Sequence, residues 1–220
     1  MTGVQTCALP IYLNDFSKIV PSFHNGLTLT ASDAAAFKSV VSHARITSEA
    51  RIKAPYFAEK IIAEGQADMV SLVRSQIADP HLANKAASGR GDEIRPCISC
   101  NQLCIGRRIR ENWISCLVNP SAGREMEWGG DDANDSAATP REILVVGGGP
   151  AGLEVARVAA LRGHKVTLAE KSGELGGQFR LAAGQPERGE IGDFLNWYVK
   201  QLEKLQVRVK LNTEDRKSVV

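Results

Sequence analysis

Apolar and polar positions divide this chain into two patterned stretches with an unpatterned one between them. From Tyr12 to Ala87, helix-like and strand-like patterns alternate. Ala34–Val41 reads as a helix capped by Ser32 or Asp33, and Pro55–Glu64 as a second, with proline at its start and Gly65 at its stop. Asp68–Val73 reads as a buried strand ending at Arg74, and a preceding strand falls near Ala44–Ile52. Strand–helix–strand order favours a parallel α/β sheet. The later stretch is more regular. Glu142–Val146 predicts a strand, Pro150–Arg162 a helix stopped by Gly163, and Lys165–Glu170 a second strand. A helix over Glu190–Leu205 and a strand over Val207–Leu211 complete half of a doubly wound nucleotide-binding fold.

Between them, Gly89–Gly123 is rich in Gly, Cys, Arg and Asn and shows little periodicity, as expected of a loop ordered by something other than a core. Glu125–Arg141 carries Gly129-Gly130, three aspartates and Pro140, the clearest boundary in the chain. The expected organisation is an α/β unit over 12–88, a cysteine loop over 89–124, a linker over 125–141 and a nucleotide domain over 142–214. Residues 1–11 and 215–220 read like in-frame translations of sequencing-adapter DNA. They are expected to be non-native ends on a piece of a longer protein, which removes Cys7 from the cysteine count.

Composition narrows the function. A net charge of +2 gives no global case for nucleic acid, and no apolar run approaches the ~20 residues of a membrane span. Four of the five cysteines cluster, which suits reduced thiolate ligands in a cytoplasmic protein better than a disulfide framework.

Chemistry concentrates at two motifs. In Gly147-x-Gly149-x-x-Gly152, the first glycine permits a tight turn, the second lets backbone approach a pyrophosphate and the third lets helix pack on sheet. Amides near Ala151 and Gly152 then face the phosphates at the helix start. Glu170 ends the next strand, where a carboxylate accepts from a ribose diol. Leu175-Gly176-Gly177-Gln178 adds a second flexible stretch near the same edge, or an ordinary surface turn. The arrangement resembles the FAD-binding half of the flavoprotein disulfide-reductase-like fold and favours FAD over NAD.

The second motif is Cys97-x2-Cys100-x3-Cys104-x11-Cys116. Four such ligands satisfy either a tetrahedral zinc or a [4Fe-4S] cluster. A triplet followed by a distant single cysteine suits the cluster, whereas zinc more often uses two paired knuckles. Arg107, Arg108 and Arg110 beyond it read as a solvated face and receive no role.

Ala67–Val70, Arg74, Ile77–Pro80, Asn84–Ala86, Ile94–Gln102 and Cys116–Pro120 follow in order and carry a resemblance. They are similar to the region joining barrel to flavin domain in the 2,4-dienoyl-CoA reductase and trimethylamine dehydrogenase group, relatives of old yellow enzyme. The resemblance spans most of Lys53–Leu211. It implies the C-terminal part of an FMN-binding (β/α)8 barrel, then a [4Fe-4S] loop, then a domain binding FAD and NAD(P)H. Arg51 and Arg74 would pair the FMN phosphate, Arg74 with support from the Val73 backbone. Gly149, Ala151, Glu170, Gln178 and Arg188 would hold FAD, and Cys97, Cys100, Cys104 and Cys116 the cluster.

The implied activity is an oxidoreductase passing electrons from NAD(P)H through FAD and the cluster to FMN and on to a small enoyl substrate. An amine dehydrogenase of the same group and a nucleotide-binding module with structural zinc are the alternatives. No catalytic acid is expected among these residues. The family's tyrosine is absent, no histidine stands ahead of Val20-Pro21-Ser22, and His24 and His43 read as bystanders, with His81 in a helix after the barrel. The chain by itself is expected to be inactive.

Overall fold

The computed structural model describes residues 16–129 and 136–215, so the expectations for residues 1–11 and 216–220 lie outside it. The chain divides into two units at Gly123/Arg124.

The first unit is built from short pieces: α1 (Phe16–Ile19), α2 (Ala31–Val40), β1 (Thr47–Ser48), α3 (Pro55–Ala63), β2 (Met69–Val70), α4 (Val73–Ala78), α5 (Leu82–Ala87) and α6 (Ile105–Arg108). The strands β1 and β2 pair in parallel, Thr47 with Met69 and Ser48 with Val70, across α3. Ala31, Ala34, Ile46, Ile52, Ile61 and Ala67 form the core beneath them. Pro55 opens α3 because its missing N–H costs nothing in the first turn, and Gly65 (φ +70°) ends it in the left-handed region.

Two expectations are corrected here. Helix α2 starts at Ala31, so Ser32 and Asp33 are inside its first turn rather than capping it, and the N-cap is Thr30. The Thr30 hydroxyl serves the neighbouring strand end instead, donating to Glu49 O at 2.5 Å and accepting from Glu49 N at 3.1 Å. The second correction concerns Asp68–Val73, which does not run as a strand to Arg74. After Ser71 N bonds Ser48 O at 2.9 Å the chain turns, Leu72 becomes the N-cap, and Val73 and Arg74 open α4. A short apolar run carries too little periodicity to separate strand from helix start.

The second unit contains α7 (Glu125–Trp128), β3 (Glu142–Val146), α8 (Pro150–Leu161), β4 (Lys165–Ala169), α9 (Gln178–Ala183), α10 (Glu190–Lys204) and β5 (Arg208–Lys210). Its sheet is parallel in the order β3-β4-β5, with five residue pairs in register from Glu142↔Lys165 to Val146↔Ala169. One face packs on α8 through Val145, Leu153 and Ala156, while Leu144 (64% exposed) and Val146 (51%) point the other way. Helix α10 buries Phe194, Leu195, Trp197, Tyr198 and Leu202 at helical spacing. The segment read as a linker holds α7, and its residues 130–135 lie outside the described ones. No helix among the described residues is long and apolar enough to cross a membrane.

Candidate cofactor sites

In the second unit, β3 delivers its chain into the glycine turn. Gly147 takes φ +97°, a conformation that a side chain strains, and its N–H bonds Ala169 O at 2.8 Å. A Cβ on Gly152 would stand 1.9 Å from Gly147 O, so α8 approaches the strand as closely as only glycine permits. Gly149 has open space around it and is the N-cap of α8, with Pro150 and Ala151 beginning the helix. The local geometry therefore leaves room and free helix-start amides for a phosphate.

The Leu175–Gln178 stretch packs directly on this turn: Gly176 N donates to Gly148 O at 2.7 Å, and a Cβ on Gly177 would reach the Gly149 Cα at 3.2 Å. Gln178 is the first residue of α9 and exposed. Glu170 is buried at the end of β4. Its carboxylate accepts from Gly148 N at 2.6 Å, from Ser172 N at 2.8 Å and from Ser172 Oγ at 2.9 Å. The Ser172 and Gly148 amides hold this carboxyl below the usual glutamate range, so it stays anionic. Sequence reasoning missed Ser172, whose signal was its position two residues after a strand-ending carboxylate. Arg188 lies exposed in the turn before α10. A separate 690 Å³ cavity, lined by Leu175, Leu195, Val199, Leu202, Val209 and Leu211 among others, contains none of the predicted nucleotide residues.

In the first unit, a cavity of about 220 Å³ is lined by Arg51, Lys53, Val73 and Arg74, together with Ala50, Ser71, Cys97 and Ser99. Arg51 is 6% exposed, and both it (φ +58°) and Ala50 (φ +65°) occupy the left-handed region that non-glycine residues seldom adopt. Such conformations gather at ligand sites because the surrounding structure must hold them. Arg51 Nη1 donates to Ser22 O, and Arg74 Nη1 to Pro21 O at 2.7 Å. The structure thus brings the two predicted arginines to one cavity, whose wall carries Glu49 as well as Lys53 and is basic on balance.

Asn101 was not predicted, yet it ties this corner together. Its Oδ1 accepts from Arg74 Nη1 at 2.6 Å and its Nδ2 donates to Val20 O at 2.9 Å. Asn101 sits at φ +57°, which asparagine tolerates better than most residues. Its place immediately after Cys100 was the available signal.

All four predicted cysteines line a second, apolar cavity with Ile98, Leu103, Leu117 and Val118. Burial pushes the thiols of Cys97, Cys100 and Cys116 up, Cys116 to about 11. Backbone amides oppose burial: Ser99 N–H faces Cys97, Gln102 N–H faces Cys100, and Val118 and Asn119 N–H face Cys116. Amides aimed at sulfur favour the thiolate, and a cationic centre would remove the remaining cost of ionising it. The donor set therefore fits a metal centre. Among the described residues, no three His, Cys, Asp or Glu side chains converge closely enough to hold a metal ion. A tetrahedral zinc at ~2.3 Å per bond needs sulfurs ~3.8 Å apart. Arg74 and Cys97 line both cavities of this unit, so the basic pocket and the thiol cavity share a wall.

Comparison with known proteins agrees with a redox assignment. A family model described as FAD dependent oxidoreductase matches residues 142–210. The metal reductase of Desulforamulus reducens is 47% identical over 164 residues, 74% of this chain and 24% of that protein. The NADH oxidase of Thermoanaerobacter brockii is 47% identical over 160 residues, 72% of this chain and 24% of that protein. Among solved structures, 2-naphthoyl-CoA reductase in complex with 2-naphthoyl-CoA matches with a TM-score of 0.83 and 36% identity, over 88% of this chain and 29% of that one. The chain thus spans about a quarter of the length of the curated relatives it matches.

Proposed function

The chain belongs to the 2,4-dienoyl-CoA reductase and trimethylamine dehydrogenase group of flavin-dependent oxidoreductases, and from that premise we propose that it is the cofactor-holding middle of an enzyme that reduces an enoyl substrate, of the 2,4-dienoyl-CoA type, with NAD(P)H. In this reading Arg51, Arg74 and the Val73 backbone hold the FMN phosphate. The four thiolates Cys97, Cys100, Cys104 and Cys116 hold a [4Fe-4S] cluster, and the turn Gly147–Gly152 with Glu170 and Gln178 holds FAD. When bound, flavins exchange hydride or single electrons and an iron–sulfur cluster passes electrons singly, which is the hard chemistry of the reaction.

The chain's own residues supply position and charge. The observation that carries the reading is the shared wall: Cys97 and Arg74 face both the thiol cavity and the basic pocket, so two redox groups held there would be neighbours. Arg74 is fixed for this by Pro21 O and Asn101 Oδ1, which orient its guanidinium without neutralising it. In the other unit, the Glu170 carboxylate stays charged and fixed by Gly148 and Ser172, presenting an acceptor to a ribose while repelling a 2′-phosphate. The apolar lining of the thiol cavity limits the water around the half-buried sulfurs, which would tune the potential of a cluster held there.

Anaerobic purification of the chain followed by iron, sulfide and zinc analysis tests this. Iron and sulfide in equal amounts are expected. Stoichiometric zinc without iron or sulfide would leave a nucleotide-binding module with a stapled loop.

A further inference from the structure

Helix α4 contributes to both cavities of the first unit. Arg74, on its first turn, lines both, and Ile77 near its end lines the thiol cavity. The cysteine loop holds this helix at two points. Asn101, directly after Cys100, accepts from Arg74 Nη1 at 2.6 Å, and Asn119, three residues after Cys116, donates from Nδ2 to Ile77 O at 2.9 Å. Each side-chain amide is fixed at its other end as well: Asn101 Nδ2 donates to Val20 O at 2.9 Å, and Asn119 Oδ1 accepts from Ser121 N at 3.2 Å. Guanidinium and backbone N–H groups only donate and carbonyls only accept, so these partners set which way each amide faces.

The loop that does the holding has little regular order of its own. Between residues 89 and 123, regular structure is limited to a 3-10 turn at Gly91–Glu93 and the four-residue α6. Ser99 (φ +51°) and Asn101 (φ +57°) place left-handed backbone on both sides of Cys100, a conformation that persists where the surroundings impose it. Asn101 O also accepts from Gly106 N at 2.8 Å, which ties its position to the turn that follows Cys104. A segment of this kind gains order when its thiolates gather on a centre. What orders the thiols therefore also fixes the two asparagines, and through them α4.

We propose that the cysteine loop grips α4 through Asn101 and Asn119, and that a filled thiol cavity thereby aims Arg74 into the neighbouring cavity. The inference rests on the reading above, in which four thiolates hold a centre and Arg74 meets a flavin phosphate. It adds that the two sites are filled cooperatively. Asn101 is a positioning residue that acts through Arg74, and it acts when the loop is ordered. By linkage, an anion seated on Arg74 favours the filled, ordered loop by the same factor. Glu49 and Lys53 on the same wall lie before α3, outside the cysteine loop, so their charges act alike in both states.

The test compares the full chain, either reconstituted anaerobically with iron and sulfide or stripped by chelator, with Asn101→Gly in the same two states. Glycine removes the amide yet suits the left-handed backbone, so the loop keeps its path. FMN and riboflavin are titrated separately by calorimetry. In loaded chains Asn101→Gly is expected to bind FMN about tenfold more weakly, with riboflavin unchanged. In stripped chains the substitution should change neither. Loaded Asn101→Gly combined with Arg74→Met should bind FMN no more weakly than loaded Arg74→Met, because both changes remove the same contact. An FMN loss of equal size in loaded and stripped chains overturns the coupling, since a merely structural role would act in both. An additional tenfold loss on top of Arg74→Met overturns it too. If Asn101→Gly takes up no iron, hydrogen exchange in the wild type decides: slower exchange of the α4 amides after loading supports the grip, and an unchanged rate overturns it. A loaded wild type that holds FMN no better than riboflavin overturns the flavin-phosphate reading and the inference with it. A wild-type preference for FMN that loaded Asn101→Gly keeps in full overturns the inference alone. A wild type that takes up no iron and sulfide overturns the iron–sulfur reading and the coupling together.

Discussion

The two units hold their sites by different physics. In the second unit, contact does the positioning: α8 lies on β3 with no room for a methyl group at Gly152, and the glycine turn follows from that packing. In the first unit the strands are two residues long, and buried polar groups fix the site over long sequence distances. Asp79 is 1% exposed and accepts from Lys85 Nζ at 2.7 Å, Arg95 N at 2.8 Å and His81 N at 3.0 Å. Asn119, also buried, donates from Nδ2 to Ile77 O at 2.9 Å beside Cys116. A site built on regular elements is specified by periodicity, whereas one built on polar clasps is specified by individual side chains.

The largest effect should follow from removing such a clasp. Asp79→Ala leaves the Lys85 ammonium, the buried Arg95 amide and the half-buried His81 amide without their acceptor, and is expected to destabilise the first unit by ~3–5 kcal/mol. Denaturation monitored separately at Trp113 and at Trp197 should show the loss in the first unit alone. Equal loss in both would mean that the units do not divide as described.

Gly152→Ala comes next. The new methyl would meet the Gly147 carbonyl, backbone that cannot swing aside, so a cost of ~1–3 kcal/mol is expected. It should fall on the second unit and displace the nucleotide turn, with FAD retention lost while iron content is kept. Iron and FAD analysis on the same preparation checks this.

Acid gives a smaller effect. Glu170 has its carboxyl lowered in the folded state by the Ser172 and Gly148 amides. Its contribution is therefore full above the ordinary glutamate value near ~4.3 and is lost as pH falls through the lower folded value. Glu170→Gln should cost ~1–2 kcal/mol near neutrality, because the amide keeps only one acceptor oxygen for three donors. Melting of the variant and the wild type across this range should converge at the acid end. A difference that persists there would assign the bonds to something other than the ionised carboxylate.

The smallest effect is set by the Lys165–Glu142 pair, which joins the strands of the second unit at 2.6 Å with both side chains about four-fifths exposed. Glu142→Gln should leave the melting temperature unchanged, since solvent screens such a pair. A clear drop would show electrostatics acting where close packing is held to suffice.

The same difference explains what could be read in the sequence. Strands β3 and β4 and helices α8 and α10 were legible because apolar spacing and the Gly163 stop mark them. Helix α9 was not, since Gln178–Ala183 follows a glycine pair that reads as a turn. In the first unit the parallel pairing across α3 was legible, but Asp68–Val73 was too short to reveal its turn into α4. The residues proposed to carry the chemistry were visible by type, as four cysteines and two arginines. Their arrangement was not, because Asn101 meets Val20 across 81 positions and nothing local records that meeting.

X-ray absorption at the iron edge, on the anaerobically reconstituted chain, tests the central claim most directly. A shell of sulfur neighbours together with a distinct iron–iron shell is expected, and Cys116→Ser should abolish the latter. Tightly bound metal that proves to be zinc ringed by four sulfurs, or iron without an iron neighbour, would contradict the claim that these four thiolates gather around one cluster.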